Sequence, residues 1–262
     1  MVRTYLLLAW TWLRASAQYP GPLIMMVTGS FVVSALDVAA IWVIFEHVGS
    51  LGGFDLAEVM FLYGAAGLSF ALSDILFGNV ERLSQHIKAG TFDIMLIRPA
   101  GAFVQMATDR FSVQRLGRLA QAAVVLAVAL PQLGLAAGRA WMIPVMILCG
   151  TVIFASIFTL GGAMQFLLTD APEVANAFTY GGSALTQYPL SVYGNELVKG
   201  VTFIVPLAFV NWQPALFVLD RPDPLGLPYW LRFAAPLAAV VLSVAAALAW
   251  RAGIRRYRST GS

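Results

Sequence analysis

Residues 57–99 read AEVMFLYGAAGLSFALSDILFGNVERLSQHIKAGTFDIMLIRP, and the change of character within this stretch decides the fold. Residues 57–79 are almost entirely apolar and have about the length of a membrane-spanning helix, roughly 20 residues. Residues 80–99, here called the island, are polar and basic, and a further long apolar run follows them. A polar island between apolar runs predicts a segment that joins two spans at one face of a membrane.

The composition places the whole chain in a membrane. Of the 262 residues, 60% are hydrophobic and 11% are charged, whereas soluble domains have about 25% charged residues. The mean hydropathy is +0.79. The formal charge of +3 comes from Lys and Arg at the edges of apolar runs, so nucleic-acid binding is not indicated. The single Cys149 lies within an apolar run, which is typical of packing and excludes a disulfide within the chain.

Six apolar runs are long enough to span, so we expect an all-α integral membrane protein with one transmembrane domain over residues 1–262. The runs are 23–45, 57–79, 117–137, 141–168, 201–219 and 230–250. Six spans place both termini on one side. At the N-terminus, residues 1–20 carry Arg3, Arg14 and a Pro20 stop. This pattern favours an amphipathic helix in the membrane interface, and an anchored tail is the alternative.

The distribution of lysine and arginine orients these spans. Thirteen basic residues fall on the side of the termini: Arg3, Arg14, Arg82, Lys88, Arg98, Arg110, Arg115, Arg118, Lys199, Arg251, Arg255, Arg256 and Arg258. Three fall on the other side: Arg139, Arg221 and Arg232. Because cytoplasmic loops carry an excess of Lys and Arg, both termini and the island of this multi-pass protein are predicted to be cytoplasmic.

Two segments depart from the simple pattern. Residues 170–199 are too polar for a span and too apolar for a solvated loop. They are expected to form a cytoplasmic interfacial helix and a turn at Tyr188-Pro189. Polar residues and prolines interrupt the fifth run between residues 211 and 224, which predicts a helix that breaks near the outer surface and partly re-enters the membrane.

The deepest charges are Asp37 in the first span and Asp74 in the second. A carboxylate at mid-bilayer costs about 2.5–3.5 kcal/mol, so each is expected to face protein or water. Ser30 and Ser34 share a helix face with Asp37, which leaves both a structural and a pathway role open for Asp37. For Asp74, close to the cytoplasmic end, an ion pair or a cap is favoured.

Small residues recur at steps of three and four along the second span: Gly64, Gly67, Ala71, Asp74 and Gly78. This spacing stacks them on one helix face. Small residues allow helix backbones to approach closely in lipid, so the face predicts a helix-packing seam. The alternative interpretation is a wall of a translocation path.

The sequence carries no enzymatic signature. His47 and His86 are the only histidines, with no second metal ligand at a useful spacing and no G-x-S-x-G motif. The phosphate-binding pattern G-x-x-x-x-G-K-[ST] is also missing. We therefore expect no catalytic residue and no cofactor in this chain, and any work driven by ATP needs another subunit.

Residues 81–90 of the island can form a short helix that Gly90 ends. Leu83 and Ile87 would share one face of this helix, with polar and charged residues on its flanks. The apolar residues that follow should be covered by protein, either this chain or a partner: Phe92, Met95 and Leu96. A docking surface for a partner is one interpretation of the island, and a basic loop that lies on lipid head groups is the other.

The chain resembles the permeases of bacterial type-2 ATP-binding-cassette (ABC) exporters, specifically a branch of short six-span permeases. The likeness rests on KAGTFDIMLIRPAGAFVQMATDRFSVQRLGRLAQ (88–121) and NAFTYGGSALTQYPLSVYGNELVKGVTFIVPLAFVNWQPALFVLDRPDPLGLP (176–228). The residues that match the family pattern are Gly90, Asp93, Leu96, Arg98, Pro99, Asn176, Tyr180, Gly181, Gly182, Tyr188, Pro189 and Leu190. The likeness runs from the island to the C-terminus, and the first 60 residues match only in layout.

The resemblance implies specific partners and site residues. Two permeases, identical or paralogous, would sit on two cytosolic ATPase subunits that hold ATP and Mg²⁺, in the cytoplasmic (inner) membrane of a bacterium and among its lipids. The island, residues 80–99, would couple to the ATPase through Glu81, Arg82, Leu83, Gln85, His86, Ile87, Lys88 and Gly90. A place along the translocation path, or in its packing, would go to Asp37, Ser69, Ser73, Asp74 and Phe203.

The implied function is export of an amphipathic or hydrophobic compound, coupled to ATP hydrolysis on the partner subunits. The alternative is a secondary carrier or channel that ATP does not drive. A carrier of that kind should show inverted repeats and helices broken at mid-membrane, and neither stands out in this sequence.

Overall fold

The computed structural model describes residues 2–109, 112–113, 115–168 and 172–258. Within these ranges every regular element is a helix, and the only strand-like feature is a bridge between Leu51 and Phe54 in a loop. The predicted all-α fold class is therefore confirmed. Three parts of the sequence-based predictions lie outside the described residues: Arg110 of the basic count, the start of the segment 170–199, and the C-terminal residues 259–262.

The described part of the chain forms twelve α-helices. They are α1 (Val2–Ala17), α2 (Pro20–Val48), α3 (Leu56–Phe77), α4 (Leu83–Lys88), α5 (Thr91–Ile97), α6 (Ala102–Thr108), α7 (Arg115–Ala129), α8 (Met142–Met164), α9 (Pro172–Thr186), α10 (Asn195–Phe203), α11 (Trp212–Val218) and α12 (Ala235–Arg256). Short 3-10 turns join several of them: Gly78–Arg82, Leu130–Gln132, Ala137–Arg139, Leu190–Val192, Leu207–Phe209 and Tyr229–Phe233. α1 occupies the predicted N-terminal helix, and its place in a membrane interface stays a prediction.

Four helical stretches among the described residues are long and apolar enough to cross a membrane. They are residues 20–48, 56–88, 142–164 and 235–256. A fifth candidate is the pair 195–203 and 207–218, whose two halves are bent by 80°. The predicted span at 117–137 is represented by α7, whose 15 residues rise only about 22 Å against a hydrocarbon core of roughly 30 Å. Helix length therefore supports a multi-pass membrane protein with four or five spans.

The helix bundle has two ends, which the loops define. The island end carries residues 78–98, and the far end carries the loop 49–55 between α2 and α3. α3 begins at the far end with a capping box. Glu58 N–H donates to Asp55 Oδ1 (2.8 Å) and Asp55 N–H donates to Glu58 Oε2 (2.9 Å). Such a cap typically stabilises a helix by about 1 kcal/mol. Most side chains of α3 are buried, so this helix is the centre of the bundle.

α7 runs antiparallel to α3 and fits against its glycines. A Cβ built on Gly64 would lie 2.8 Å from the backbone nitrogen of Leu126, and one on Gly67 would also touch α7. On the other side of α7, a side chain at Gly117 would collide with the carbonyl oxygen of Val27 in α2. The predicted small-residue face of the second span is therefore a helix-packing seam.

α9 and the turn after it cross the bundle from the island end to the far end. Thr179 Oγ1 donates a hydrogen bond to Glu81 Oε1 at the island end (2.6 Å). Ser191 Oγ donates to the carbonyl oxygen of Gly52 at the far end (2.9 Å). The prediction of a cytoplasmic interfacial helix over residues 170–199 is therefore wrong, because its second half reaches the opposite end. Polar residues are accommodated in α9 since the side that carries Thr179 is buried against protein.

α10 and α11 form a hairpin that enters the bundle from the far end and returns to it. After the hairpin, Arg221 Nε and Nη2 donate to the two carboxylate oxygens of Glu58 at the start of α3, both at 2.8 Å. Between the two helices, Asn211 Nδ2 donates to the carbonyl oxygen of Leu62, two turns into α3 (2.9 Å). The apex of the hairpin thus lies inside the bundle while both of its ends lie at the far end.

The fifth span predicted at 201–219 is not one continuous helix. The apolar run there bends by 80° at the break that contains Pro206, and Arg221 beyond it pairs with Glu58 at the far end. A hairpin of this shape is what a re-entrant segment requires, although it covers residues 195–218 instead of the predicted 211–224. Lys199 moves to the far end as a consequence, and the basic residues then divide twelve against four.

Two hydrophobic clusters hold the bundle together, and two helices remain largely uncovered. The larger cluster fills the space between α3, α8 and the hairpin, and the smaller one lies under the island. α2 and α12 each present apolar side chains that are more than half exposed: Met25, Val33, Leu36, Leu237, Val240 and Leu248. Such wide uncovered apolar faces are those of helices that contact lipid.

Candidate functional site

The island is built from three short pieces instead of one helix. A 3-10 turn over Gly78–Arg82 leads into α4, and Gly90 then takes a left-handed conformation (φ 66°) before α5 begins at Thr91. Because a side chain disfavours a positive φ, glycine ends the helix at the predicted place. The helical segment predicted over residues 81–90 is present, but it changes from 3-10 to α geometry within its length.

The inner face of the island anchors it to the protein. Leu83 and Ile87 share this face and are 0% and 4% exposed. Next to them, Phe92 of α5 packs edge-on against Phe166 and Tyr257, with ring centroids 5.4 and 5.1 Å apart. The predicted apolar face of the island is thus turned toward the chain's own core.

A glutamine at the C-terminal end of α8 clamps the start of the island. Gln165 is fully buried. Its Oε1 accepts a hydrogen bond from the backbone N–H of Ser84 (2.7 Å), and its Nε2 donates to the carbonyl oxygen of Glu81 (2.9 Å). Loss of this side chain would leave two backbone groups unpaired, each at a cost of about 1–3 kcal/mol. The island is therefore fixed to α8 as well as to α3.

Two polar residues of the expected coupling set brace the island against its neighbours. His86 Nδ1 lies 2.9 Å from Thr91 Oγ1, and His86 Nε2 lies 3.0 Å from Asp109 Oδ2. The Glu81 carboxylate accepts the hydrogen bond from Thr179 described above. These side chains link α4 to α5 within the island and link the island to the end of α6 and to α9, so their observed contacts are internal.

The outer face of the island is exposed and mixes polar with aliphatic side chains. Exposed residues on α4 and α5 include Gln85, Lys88, Ile94, Leu96 and Ile97. Ile97 is 83% exposed. Phe92 and Met95 are covered by this chain as expected, whereas Leu96 is 41% exposed. An uncovered aliphatic edge beside a lysine is a surface that can receive a protein partner.

A charge cluster lies between α3 and α7 near the island end. The buried Asp74 carboxylate is 3.1 Å from Arg115 Nε and 3.5 Å from Arg118 Nη1. Arg115 Nη1 also donates to the backbone carbonyl oxygen of Asp74 (2.7 Å). The Arg118 guanidinium stands over the rings of Phe70 (5.5 Å) and Tyr180 (6.0 Å). The ion pair favoured for Asp74 is therefore present, with two arginines.

The remaining pathway candidates divide into buried and exposed residues. Ser69 is buried in the contact between α3 and α8, where its Oγ lies 3.2 Å from the carbonyl oxygen of Ile147. Ser73 is fully buried on the same helix. Asp37 on α2 is exposed, and Phe203 at the end of α10 is 62% exposed. The contacts of Ser69 fit the packing alternative, and Asp37 and Phe203 are open to a neighbour.

Sequence reasoning missed three residues that organise this region. Gln165 ends an apolar run, and a buried amide there needs partners, which was the available signal. Arg115 and Arg118 entered only the count of basic residues. Their spacing of three places both on one face of α7, and that spacing indicated a common partner.

The described residues offer no evident centre for a metal. No group of three or more His, Cys, Asp or Glu side chains that could hold a metal ion occurs among them. Cys149 is half-buried in α8, as expected of a packing residue.

Comparison with known proteins connects this geometry to a family. A family model described as "ABC-2 family transporter protein" matches residues 31–261, which is most of the chain. No curated protein and no solved structure matches. The matched range starts within α2 and includes the island, the charge cluster and the hairpin.

Proposed function

Since the chain belongs to the ABC-2 transporter family, we propose that it is the transmembrane permease subunit of an ATP-driven exporter. Two cytosolic ATPase subunits would hold ATP and Mg²⁺, and a second permease, identical or paralogous, would complete the translocation path. The observation that carries the proposal is the exposed outer face of the island. It lies at the bundle end to which α1 and α12 also bring the termini, through Tyr5 against Leu76 and Tyr257 against Phe92.

We propose six membrane crossings. α2, α3, α8 and α12 have the length for a span. α7 follows α3 from the level of Asp74 to that of Gly64, and residues 172–192 follow α3 in the same direction as α7. We assign these two segments as the third and fifth crossings and the hairpin 195–218 as a re-entrant segment of the outer half. The excess of basic residues at the island end supports a cytoplasmic location for that end in a bacterial inner membrane.

The island couples the permease to the ATPase. Its outer face would supply the contact, with Lys88 and Gln85 at a polar rim and Ile97 as an apolar anchor, since interfaces gain most from a few buried anchors. Its inner face would pass on the movement. Because Gln165 ties the island to α8 while the island continues α3, an ATPase that shifts the island shifts both helices and changes the permease between inward- and outward-open states.

The translocation path would lie where two permeases meet. Asp37 is an exposed carboxylate in the middle of the 29-residue helix α2, and contact with hydrocarbon would cost it about 2.5–3.5 kcal/mol. It is therefore expected to face water or the second permease. We assign Asp37 and Phe203 to the path, and the buried Ser69, Ser73 and Asp74 to the wall behind it. The apolar faces around them favour an amphipathic or hydrophobic cargo.

A matched pair of lysines tests the assignment of the island. We expect Lys88→Glu to lower the amount of ATPase that copurifies with the tagged chain by about tenfold, because it reverses a charge at the contact. Lys199→Glu makes the same change on an exposed lysine at the far end and should leave the amount unchanged. The measurement is the ratio of ATPase to permease after purification from native membranes, together with ATP hydrolysis in nanodiscs.

Two results would contradict the proposal. Equal retention of the ATPase by both lysine variants, and by a variant with the whole segment 81–90 replaced, would remove the coupling role of the island. Movement of substrate by the reconstituted chain with no ATPase present would favour the alternative, a secondary carrier or channel.

A further inference from the structure

A cavity of about 490 Å³ opens beside the charge cluster, between α2 on one side and α3, α7 and α9 on the other. It lies one turn from the island end of α3, at the level of Asp74. In the proposed orientation this is the level of the head groups in the cytoplasmic leaflet. Of the residues to which the proposed function gives a role in coupling or translocation, only Asp74 lines this cavity.

The polar wall of the cavity is strongly basic. Arg82, Arg115 and Arg118 all line it, and Asp74 is the only acidic residue among the described residues of the lining. Arg82 was expected on the docking face but lines this cavity instead. Glu81 is close to the cluster, but its carboxylate accepts a hydrogen bond from Thr179 and it is not part of the lining. The lining therefore carries an excess of two positive charges.

A structural role, as the partner of Asp74, explains only one of these three arginines. One buried carboxylate needs one positive partner, and Asp74 already has Arg115 at 3.1 Å. Arg118 lies farther away, at 3.5 Å, and its side chain is 38% exposed. No ion pair of Arg82 is found among the described residues. Two arginines are thus available to a ligand, and the rings of Phe70 and Tyr180 hold one of them, Arg118, in place.

The opposite wall suits the tail of a membrane amphiphile. It consists of the α2 face with Met25, Met26 and Val33, which are 75%, 49% and 65% exposed. Ser30 and Ser34 also line the cavity, and their hydroxyl groups can donate hydrogen bonds. The cavity therefore combines basic groups, hydroxyl groups and an apolar surface that is open toward lipid.

We propose that this cavity binds the anionic head group of a membrane amphiphile, with the head group on Arg82 and Arg118 and the hydrocarbon tail along the exposed face of α2. Basic pockets between spanning helices at the cytoplasmic face are suited to acidic lipid head groups, because the site compensates the charge and the leaflet supplies the ligand. Arg115 keeps Asp74 neutralised and positions the site. The site does not depend on an ATPase or on transport.

Lipid titration of the purified full-length chain in neutral detergent tests the proposal. The probes are phosphatidylglycerol, phosphatidylcholine and inorganic phosphate, and binding is counted by native mass spectrometry. We expect one saturable phosphatidylglycerol per chain and at least tenfold weaker phosphatidylcholine binding. Arg118→Gln and Arg82→Gln should each weaken phosphatidylglycerol about fivefold, the effect of one basic residue near an anionic surface.

The matched control is Arg98→Gln, which removes one exposed positive charge from the island outside the cavity. It should leave the affinity unchanged. Arg118→Lys keeps the charge and should restore most of the binding, and size-exclusion profiles show which variants fold. If one glutamine variant fails to fold, the other carries the test.

Three results would overturn the proposal. The first is equal affinity for phosphatidylglycerol and phosphatidylcholine. The second is a loss of affinity in Arg98→Gln as large as that in the cavity variants. The third is displacement of the lipid by inorganic phosphate at a similar concentration, which would make the ligand a free anion. Because no ATPase takes part, these results are independent of the ATPase copurification experiment.

Discussion

Asp74 shows how a carboxylate is kept inside a membrane bundle. Its side chain is 3% exposed, and Arg115 and Arg118 each approach one of its two carboxylate oxygens. The attraction within a buried ion pair roughly balances the cost of removing both charges from water, so the pair adds little net stability. A single buried charge has no such compensation, and each partner therefore requires the other. The same arginines therefore stabilise the fold by compensating the charge of Asp74. Only the positive charge in excess of that of Asp74 is available to a ligand.

At this scale we predict the effect of removing one partner. Arg115→Gln should destabilise the protein by about 3 kcal/mol, the lower end for a broken buried pair because Arg118 remains near Asp74. The double variant Asp74→Asn/Arg115→Gln should recover most of that loss. Thermal unfolding in nanodiscs measures both, with the exposed Arg98→Gln as the control. A double variant no more stable than Arg115→Gln would contradict the pairing.

At the scale of elements, the seam between α3 and α7 depends on two glycines. Lipid provides no hydrophobic force between helices, so close backbone approach and the dispersion contacts it permits hold the pair together. Gly64 is the tightest point, since the nearest atoms across the seam belong to the backbone of Leu126 and cannot rotate away. Even one added carbon atom therefore requires the helices to separate.

A matched pair of glycine variants tests this seam. Gly64→Ala should destabilise the protein by about 1–3 kcal/mol, the usual cost of overpacking. Gly181→Ala in α9 meets no atom within 4 Å, so it should be neutral or stabilise by up to about 1 kcal/mol, because alanine is the better helix former. Unfolding of the isolated chain in detergent measures the difference. Equal midpoints for the two variants would argue against the seam.

At the scale of the whole molecule, the arrangement of the two ends fixes the topology. Thr179 meets Glu81 at the island end and Ser191 meets Gly52 at the far end, so the polypeptide between them crosses the bundle. The hairpin then starts and finishes at the far end. In the proposed orientation, Lys88 and Lys199 lie on opposite faces of the membrane.

Cysteine labelling measures this arrangement directly. In a Cys149→Ala background, a membrane-impermeant maleimide applied to intact cells should label Lys199→Cys and leave Lys88→Cys unlabelled until the membrane is opened. A topology with residues 170–199 in the cytoplasm requires the reverse for Lys199→Cys. Size-exclusion profiles of the purified variants serve as the control for folding.

The sequence predicted the all-α membrane fold, the seam and the island because each depends on local pattern. Each of these features lies within one continuous segment of the sequence: the length of an apolar run, small residues at helical spacing, and a glycine that ends a helix. Leu83 and Ile87 were correctly placed on one face by the same logic. The orientation of the island came from charge counting, which tolerates the misplacement of Lys199.

The segment 172–192, which runs from the island end to the far end of the bundle, could not be recognised in this way because its polar groups bond to other elements. α9 contains Thr179, which bonds to Glu81 in the island, nearly 100 positions earlier in the chain. Hydropathy records the polar group but not its distant partner. The hairpin produced the opposite error, because residues 201–219 are apolar enough to be predicted as a span. Only the bend at Pro206 and the partners of Asn211 show that the chain changes direction there.

Among the four unbroken candidate spans of the described residues, α2 is the least buried, with 11% of its apolar window covered. Around Gly117 it touches α7 backbone to backbone, and most of its remaining surface faces outward. In water, the hydrophobic effect would favour burial of such a surface against neighbouring helices. Lipid hydrocarbon is as apolar as the protein interior, so this driving force is missing in a membrane. A lateral movement of α2 in the bilayer would therefore break few contacts with the rest of the protein.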